Sequence, residues 1–153
     1  MRLGIENEPS ADVIANLRQL CVNVLEPVRA HFGRPVTVHS GFRCPALNRA
    51  VGGAGSSQHV EGEAADIEIG GIANAALARW IMGGISDGSA SPGRGPGSAT
   101  AGVPFDQLIL EFHTRGIPDS GWVHVSYRPR GRGEVLTAER ISGRPVYSRG
   151  IIT

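Results

Sequence analysis

Residues 57–69 read Ser57-Gln58-His59-Val60-Glu61-Gly62-Glu63-Ala64-Ala65-Asp66-Ile67-Glu68-Ile69, passing from a polar loop into a clean period-two alternation. From Glu63 onward Ala65, Ile67 and Ile69 share one face, and Ala64, Asp66 and Glu68 the other. That is the pattern of a strand with one buried face. Asp66 then sits on the polar face, with His59 seven residues earlier in the preceding loop.

Upstream, residues 10–31 carry Val13, Ile14, Leu17, Leu20, Cys21, Val24, Leu25 and Val28 at three-to-four spacing. This predicts an amphipathic helix, with Ser10 or Asp12 as N-cap and an end near His31–Gly33. Pro35 to His39 alternates as a short strand. Cys44 to Val51 reads as a short helix, with Pro45 early in it and Gly52-Gly53 stopping it. Downstream, Ile72 to Met82 is helical. Phe105 to Glu111 and Trp122 to Tyr127 form two strands, and weaker strands follow around Glu134–Thr137 and Pro145–Ser148. The expectation is an α+β fold: a small antiparallel sheet with helices packed on one side. Residues 1–153 are expected to form a single domain, with a flexible Gly/Ser/Pro-rich insertion at about 83–103.

Composition narrows the function. A chain of 153 residues with 41% hydrophobic residues buries one ordinary core. Fifteen basic residues against fourteen acidic ones leave a net charge of +1, too little for a protein that neutralises nucleic-acid phosphates. All fifteen are arginine, a bias on which no function is built. No stretch approaches the roughly 18 apolar residues of a membrane span. The N-terminal residues lack the apolar core of a secretory signal, so synthesis in the cytoplasm is expected, with action on an external substrate only after release. Cys21 and Cys44 show no metal-binding spacing and read as semi-buried small apolar residues.

The polar faces carry the chemistry. Trp122, His124 and Ser126 share a face opposite Val123 and Val125, and Gln107, Ile109 and Glu111 share one opposite Leu108 and Leu110. If these strands are neighbours, His59, Asp66, His124 and Glu111 converge on one side of the sheet. Two imidazoles and a carboxylate make an open zinc site with one position left for water. A nearby unliganded carboxylate would serve as the proton carrier.

The wording around these residues sharpens that reading. Ser40-Gly41-Phe42-Arg43, then Ser57 to Ile67, Asp106 to Glu111 and Gly121 to Tyr127, resemble in order the motifs of the peptidase M15 family. This is the zinc D-Ala-D-Ala carboxypeptidase and L-Ala-D-Glu endopeptidase group of bacterial and phage wall hydrolases. The match is closest to its small single-domain, endolysin-like branch, and it covers roughly residues 10–140. The resemblance implies a hedgehog/D-Ala-D-Ala-peptidase-like fold, one zinc ion held by His59, Asp66 and His124, and a monomer acting on the peptidoglycan stem peptide. It also implies substrate binding by Arg43, with Ser57 and Gln58 shaping the loop. Part of the family carries an acid three positions before the last histidine, where this chain has Gly121. Glu111 is therefore the expected catalytic base, with Asp119 and then His113 as alternatives. A non-hydrolytic, zinc-stabilised wall-binding or virion module is the competing reading.

Other charged groups have plainer expectations. His39 makes a structural hydrogen bond, and Glu61, Glu63 and Glu68 are solvated. The six arginines from Arg128 onward form a solvated basic tail. Trp122 is either core or cleft wall.

Overall fold

The computed structural model describes residues 4–83, 102–114 and 116–153. The first helical stretch is continuous: α1 (Ala11–Leu20) runs through a wider π turn (Cys21–Leu25) into α2 (Glu26–Phe32). The Ser10 hydroxyl accepts from the Val13 amide, and Gly33 at φ 60° ends the helix in the left-handed conformation. The π turn explains which side chains are buried. Leu20, Val24 and Val28, four residues apart, stay in one line beneath the helix, whereas an unbroken α-helix would drift away from that line. Ile14 and Cys21, expected on the apolar stripe, are exposed instead.

The sheet has six strands in the order β1-β2-β4-β3-β5-β6. They are β1 (Thr37–Ser40), β2 (Ala64–Glu68), β3 (Gln107–Glu111), β4 (Trp122–Ser126), β5 (Glu134–Ile141) and β6 (Arg144–Arg149), with α3 (Pro45–Ala50) and α4 (Asn74–Met82) between β1, β2 and β3. All neighbours are antiparallel except β3 and β5, which run parallel. The sheet is therefore mixed rather than purely antiparallel, because the chain leaving β4 crosses to the far edge of β3. The two weak C-terminal strands are longer than the sequence suggested and form a hairpin that widens the sheet. The arginine-rich end is thus structured, not a solvated tail.

Alternation divides the sheet into two faces. Ala65, Ile67, Leu108, Leu110, Val123 and Val125 pack with Leu20, Val24, Val28, Leu77, Ala78 and Ile81 in one core on the helical side. Burying each large aliphatic side chain contributes about 1.5–3 kcal/mol. The opposite face is left for the polar side chains of β2, β3 and β4. The insertion expected at about 83–103 falls almost wholly on 84–101, outside the described residues. Its two ends meet: Gly83 caps α4, Val103 donates to the Ile81 carbonyl, and Gly102 lies against Gly83. Among the described residues, no helix is long and apolar enough to cross a membrane.

Candidate metal centre

The register of the sheet aligns the donors. Asp66 in β2 is paired with His124 in β4, and His124 with Ile109 in β3, so all three point to the open face. Glu111 is paired with Trp122, which places it diagonally from His124 on that face. His59 arrives from the turn before β2. Gly62 makes this turn possible: at φ +72° a Cβ would lie 2.7 Å from Val13 Cγ1 and 2.8 Å from the Val13 carbonyl oxygen. Only glycine lets the loop lie flat against α1 and double back.

His59, Asp66 and His124 are brought together and are 1%, 9% and 7% exposed. Asp66 Oδ1 is 3.1 Å from His59 Nε2 and 3.0 Å from His124 Nδ1, and the two ring nitrogens are 3.2 Å apart. His59 Nδ1 lies 2.7 Å from the Gly41 carbonyl. A hydrogen bond from Nδ1 to that carbonyl orients Nε2 towards Asp66 and His124. The three ligand atoms form a near-equilateral triangle that could hold a metal ion. The donor triangle around a four-coordinate zinc ion with bonds of about 2.0–2.1 Å has edges of about 3.3 Å, so the residues fit the ion.

Electrostatics agree with cation binding. Burial alone would push the Asp66 carboxyl up, but hydrogen bonds from His124 and His59, with their charge, together hold it well below the ordinary carboxylate range. Glu111 is raised above its ordinary value, mainly by burial. Asp66 raises it further, while His124, His59 and Trp122 pull in the other direction. The Trp122 indole N–H is buried and makes no well-aligned hydrogen bond, yet it leans towards Glu111 strongly enough to favour the carboxylate. Trp122 stands outside the apolar core cluster, its ring edge-on to Phe112 at 5.3 Å.

The other expected site residues are placed as follows. Arg43 donates its backbone N–H to the His59 carbonyl (3.1 Å), and its Nε is buried without a partner. Asn7 clamps either side of it, donating to the Phe42 carbonyl (3.0 Å) and accepting from the Cys44 amide (2.7 Å). Ser57 shapes the loop through its backbone, accepting from the Val60 amide. Gln58 turns away from the triad and donates to Asp106 Oδ2 (3.0 Å). Asp119 lines a cleft of about 270 Å³ with Glu68, Asn74 and Thr37, a lining that includes none of the triad. His113 is held by the Ser120 hydroxyl in the β3–β4 loop. Sequence reasoning missed Asn7 and the Gly41 carbonyl; a backbone acceptor leaves no trace in residue type.

Three charge assignments change. Glu63 pairs with Arg128 (2.6 Å) and Glu68 with His39, so neither acid is merely solvated. Arg132 forks onto the buried Asp106 (2.7 Å). Both cysteines are free, and Cys44 caps α3 by accepting from the Leu47 amide.

A buried pair of histidines and a carboxylate, with their ligand atoms all within 4.8 Å of one another, is a group that could hold a metal ion. The sequence model of the peptidase M15 family matches residues 2–89, and the chain belongs to that family. Peptidases of this family are in general zinc-dependent. The matched segment contains Arg43, Ser57, Gln58, His59 and Asp66. Glu111 and His124 lie beyond it and are joined to it by the sheet register. No curated protein matches the chain.

Proposed function

We propose that the protein is a zinc-dependent peptidase that hydrolyses an amide bond in the peptidoglycan stem peptide, as an endolysin-like L-Ala-D-Glu endopeptidase or D-Ala-D-Ala carboxypeptidase. The observation that carries the reading is the triangle of His59 Nε2, Asp66 Oδ1 and His124 Nδ1, with edges of 3.0–3.2 Å, with the half-buried Glu111 on the same face. The fold is read as that of the D-Ala-D-Ala peptidases, residues 1–153 as one monomeric peptidase domain, and the metal as a single ion.

When bound, zinc supplies Lewis acidity for the scissile carbonyl and acidifies water. His59, Asp66 and His124 hold it, and the Gly41 carbonyl fixes the His59 tautomer. Glu111 takes the proton from the attacking water and returns it to the leaving amine. Its raised pKa suits both halves of that transfer. Arg43 orients the peptide through a carboxylate or carbonyl, which its planar fork can bind in bidentate fashion.

Incubating the zinc-loaded protein with purified peptidoglycan and counting new amino groups tests the reading. Release by wild type and loss in Glu111→Ala with zinc content unchanged is the expected result. Gly121, standing where part of the family has an acid, favours the second reading of a non-hydrolytic zinc-stabilised module. Zinc binding without release of amines from any wall preparation would select it.

A further inference from the structure

On the far side of Glu111 the open face continues onto β5. Glu111 is paired with Ala138, and Arg140 lies two residues further along that strand. Its guanidinium carbon sits 4.6 Å from the centroid of the Phe112 ring, and Phe112 in turn packs edge-on against Trp122. Strict alternation would send Phe112 to the helical side. Instead it adopts φ 54°, a left-handed conformation that is uncommon for a bulky residue, and its amide donates to the Ala138 carbonyl (2.7 Å). The backbone is thus bent so that an aromatic ring meets Trp122 and Arg140. Arg140 is exposed and, among the described residues, forms no ion pair, unlike Arg128 and Arg132. Stacking fixes the plane of a guanidinium and leaves its N–H edge free for a planar anion.

We propose that Arg140, held over the Phe112 ring at the β5 side of the open face, binds a carboxylate of the peptide substrate. The cleft would thereby select peptides carrying an anionic group on the side of the scissile bond away from Arg43. This rests on the peptidase reading and extends it to substrate class. The spacing suits it. Arg43 and His59 lie at the β1–β2 side, and β2 to β5 is three strand steps. Arg140 is four residues along β5 from Leu136, which shares a row with Asp66, His124 and Ile109. At ~4.8 Å per step and ~3.3 Å per residue the diagonal is about 20 Å. An extended peptide of about six residues covers that span, with the triad and Glu111 between its ends.

The test uses synthetic stem peptides in which each carboxylate is converted, one at a time, to its primary amide. Cleavage is measured with zinc-loaded wild type and Arg140→Ala, and binding with the inactive Glu111→Gln protein with and without Arg140→Ala. Wild type should lose about tenfold in kcat/KM, mainly through KM, when one particular carboxylate is amidated. Arg140→Ala should lose the same factor on the free acid and show no further loss on the amide. Arg140→Lys should recover less than half of the selectivity, since it lacks the planar fork. Undiminished acid-over-amide preference in Arg140→Ala overturns the assignment, and full recovery by lysine overturns the stacked geometry. If no peptide is cut yet binding remains acid-selective through Arg140, the peptidase reading fails and the carboxylate site stands.

Discussion

Any side chain at Gly121 would place its Cβ 1.9 Å from the carbonyl oxygen of Glu111. Gly121 also holds φ +69°, and its own carbonyl accepts from the Asn74 side chain. The absence of an acid at this position is therefore built into the backbone: β3 and the segment leading into β4 approach too closely for a side chain. In the proposed mechanism the proton carrier would then come from elsewhere on the open face, and Glu111, one strand across from Trp122, is an acid that feels the charges of the triad.

Gly121→Ala is accordingly expected to destabilise the fold by about 3 kcal/mol or more, combining left-handed strain with overlap on Glu111. For a chain of this size that lowers Tm by roughly 6–12 °C, which thermal unfolding would register. A Tm within 1–2 °C of wild type would show that the β3–β4 approach is looser than described.

Glu111→Gln keeps shape and hydrogen-bonding capacity but removes the proton acceptor. A fall of about 10²–10⁴-fold in kcat is expected, with zinc affinity nearly unchanged. Comparing Asp119→Asn in the same assay separates the two acids. The cleft that Asp119 lines includes none of the triad, so its variant should retain activity within a fewfold.

Zinc should stabilise the fold through the triad. At a hundredfold excess over Kd the expected gain is about 2.7 kcal/mol, or roughly 5–10 °C in Tm. His124→Ala should abolish this shift without collapse of the apo protein, because its neighbours Val123 and Val125 carry the packing. An equal zinc-induced shift in His124→Ala would place the ion elsewhere.

Asp106 sets a pH dependence of stability away from the metal centre. It is 1% exposed. Burial alone would raise its pKa, but hydrogen bonds from the Arg132 side chain and backbone, the Arg132 charge and Gln58 together hold it below its ordinary 3.8. A depressed carboxyl stabilises the fold fully above its unfolded value and loses that contribution as pH falls through the folded one. Asp106→Asn should therefore cost about 1–3 kcal/mol at neutral pH, and the gap from wild type should narrow only below about pH 3.8 in denaturant titrations. A gap that is constant down to pH 2 would mean that the charge contributes nothing.

Much of the site was legible because alternation is local. Ala65 and Ile67 fix which way Asp66 faces, and Val123 and Val125 do the same for His124, so convergence required only that β2 and β4 be neighbours. The β5–β6 hairpin was half-legible, because Val146, Tyr147 and Ile141 are all exposed and no clean two-sided pattern marks its length. The parallel pairing of β3 with β5, the Asp106–Arg132 fork and the Asn7 clamp depend on contacts between distant residues that no spacing encodes. Phe112 would be assigned to the wrong face by alternation, and only its left-handed backbone brings it to the cleft.

Mass spectrometry of the fragments released from purified peptidoglycan by the zinc-loaded protein tests the central claim most directly. The expected result is a single new amide cleavage in the stem peptide, at L-Ala-D-Glu or D-Ala-D-Ala, that is lost on chelation and absent with Glu111→Gln. Intact stem peptides after prolonged incubation with fully zinc-loaded wild type would contradict it.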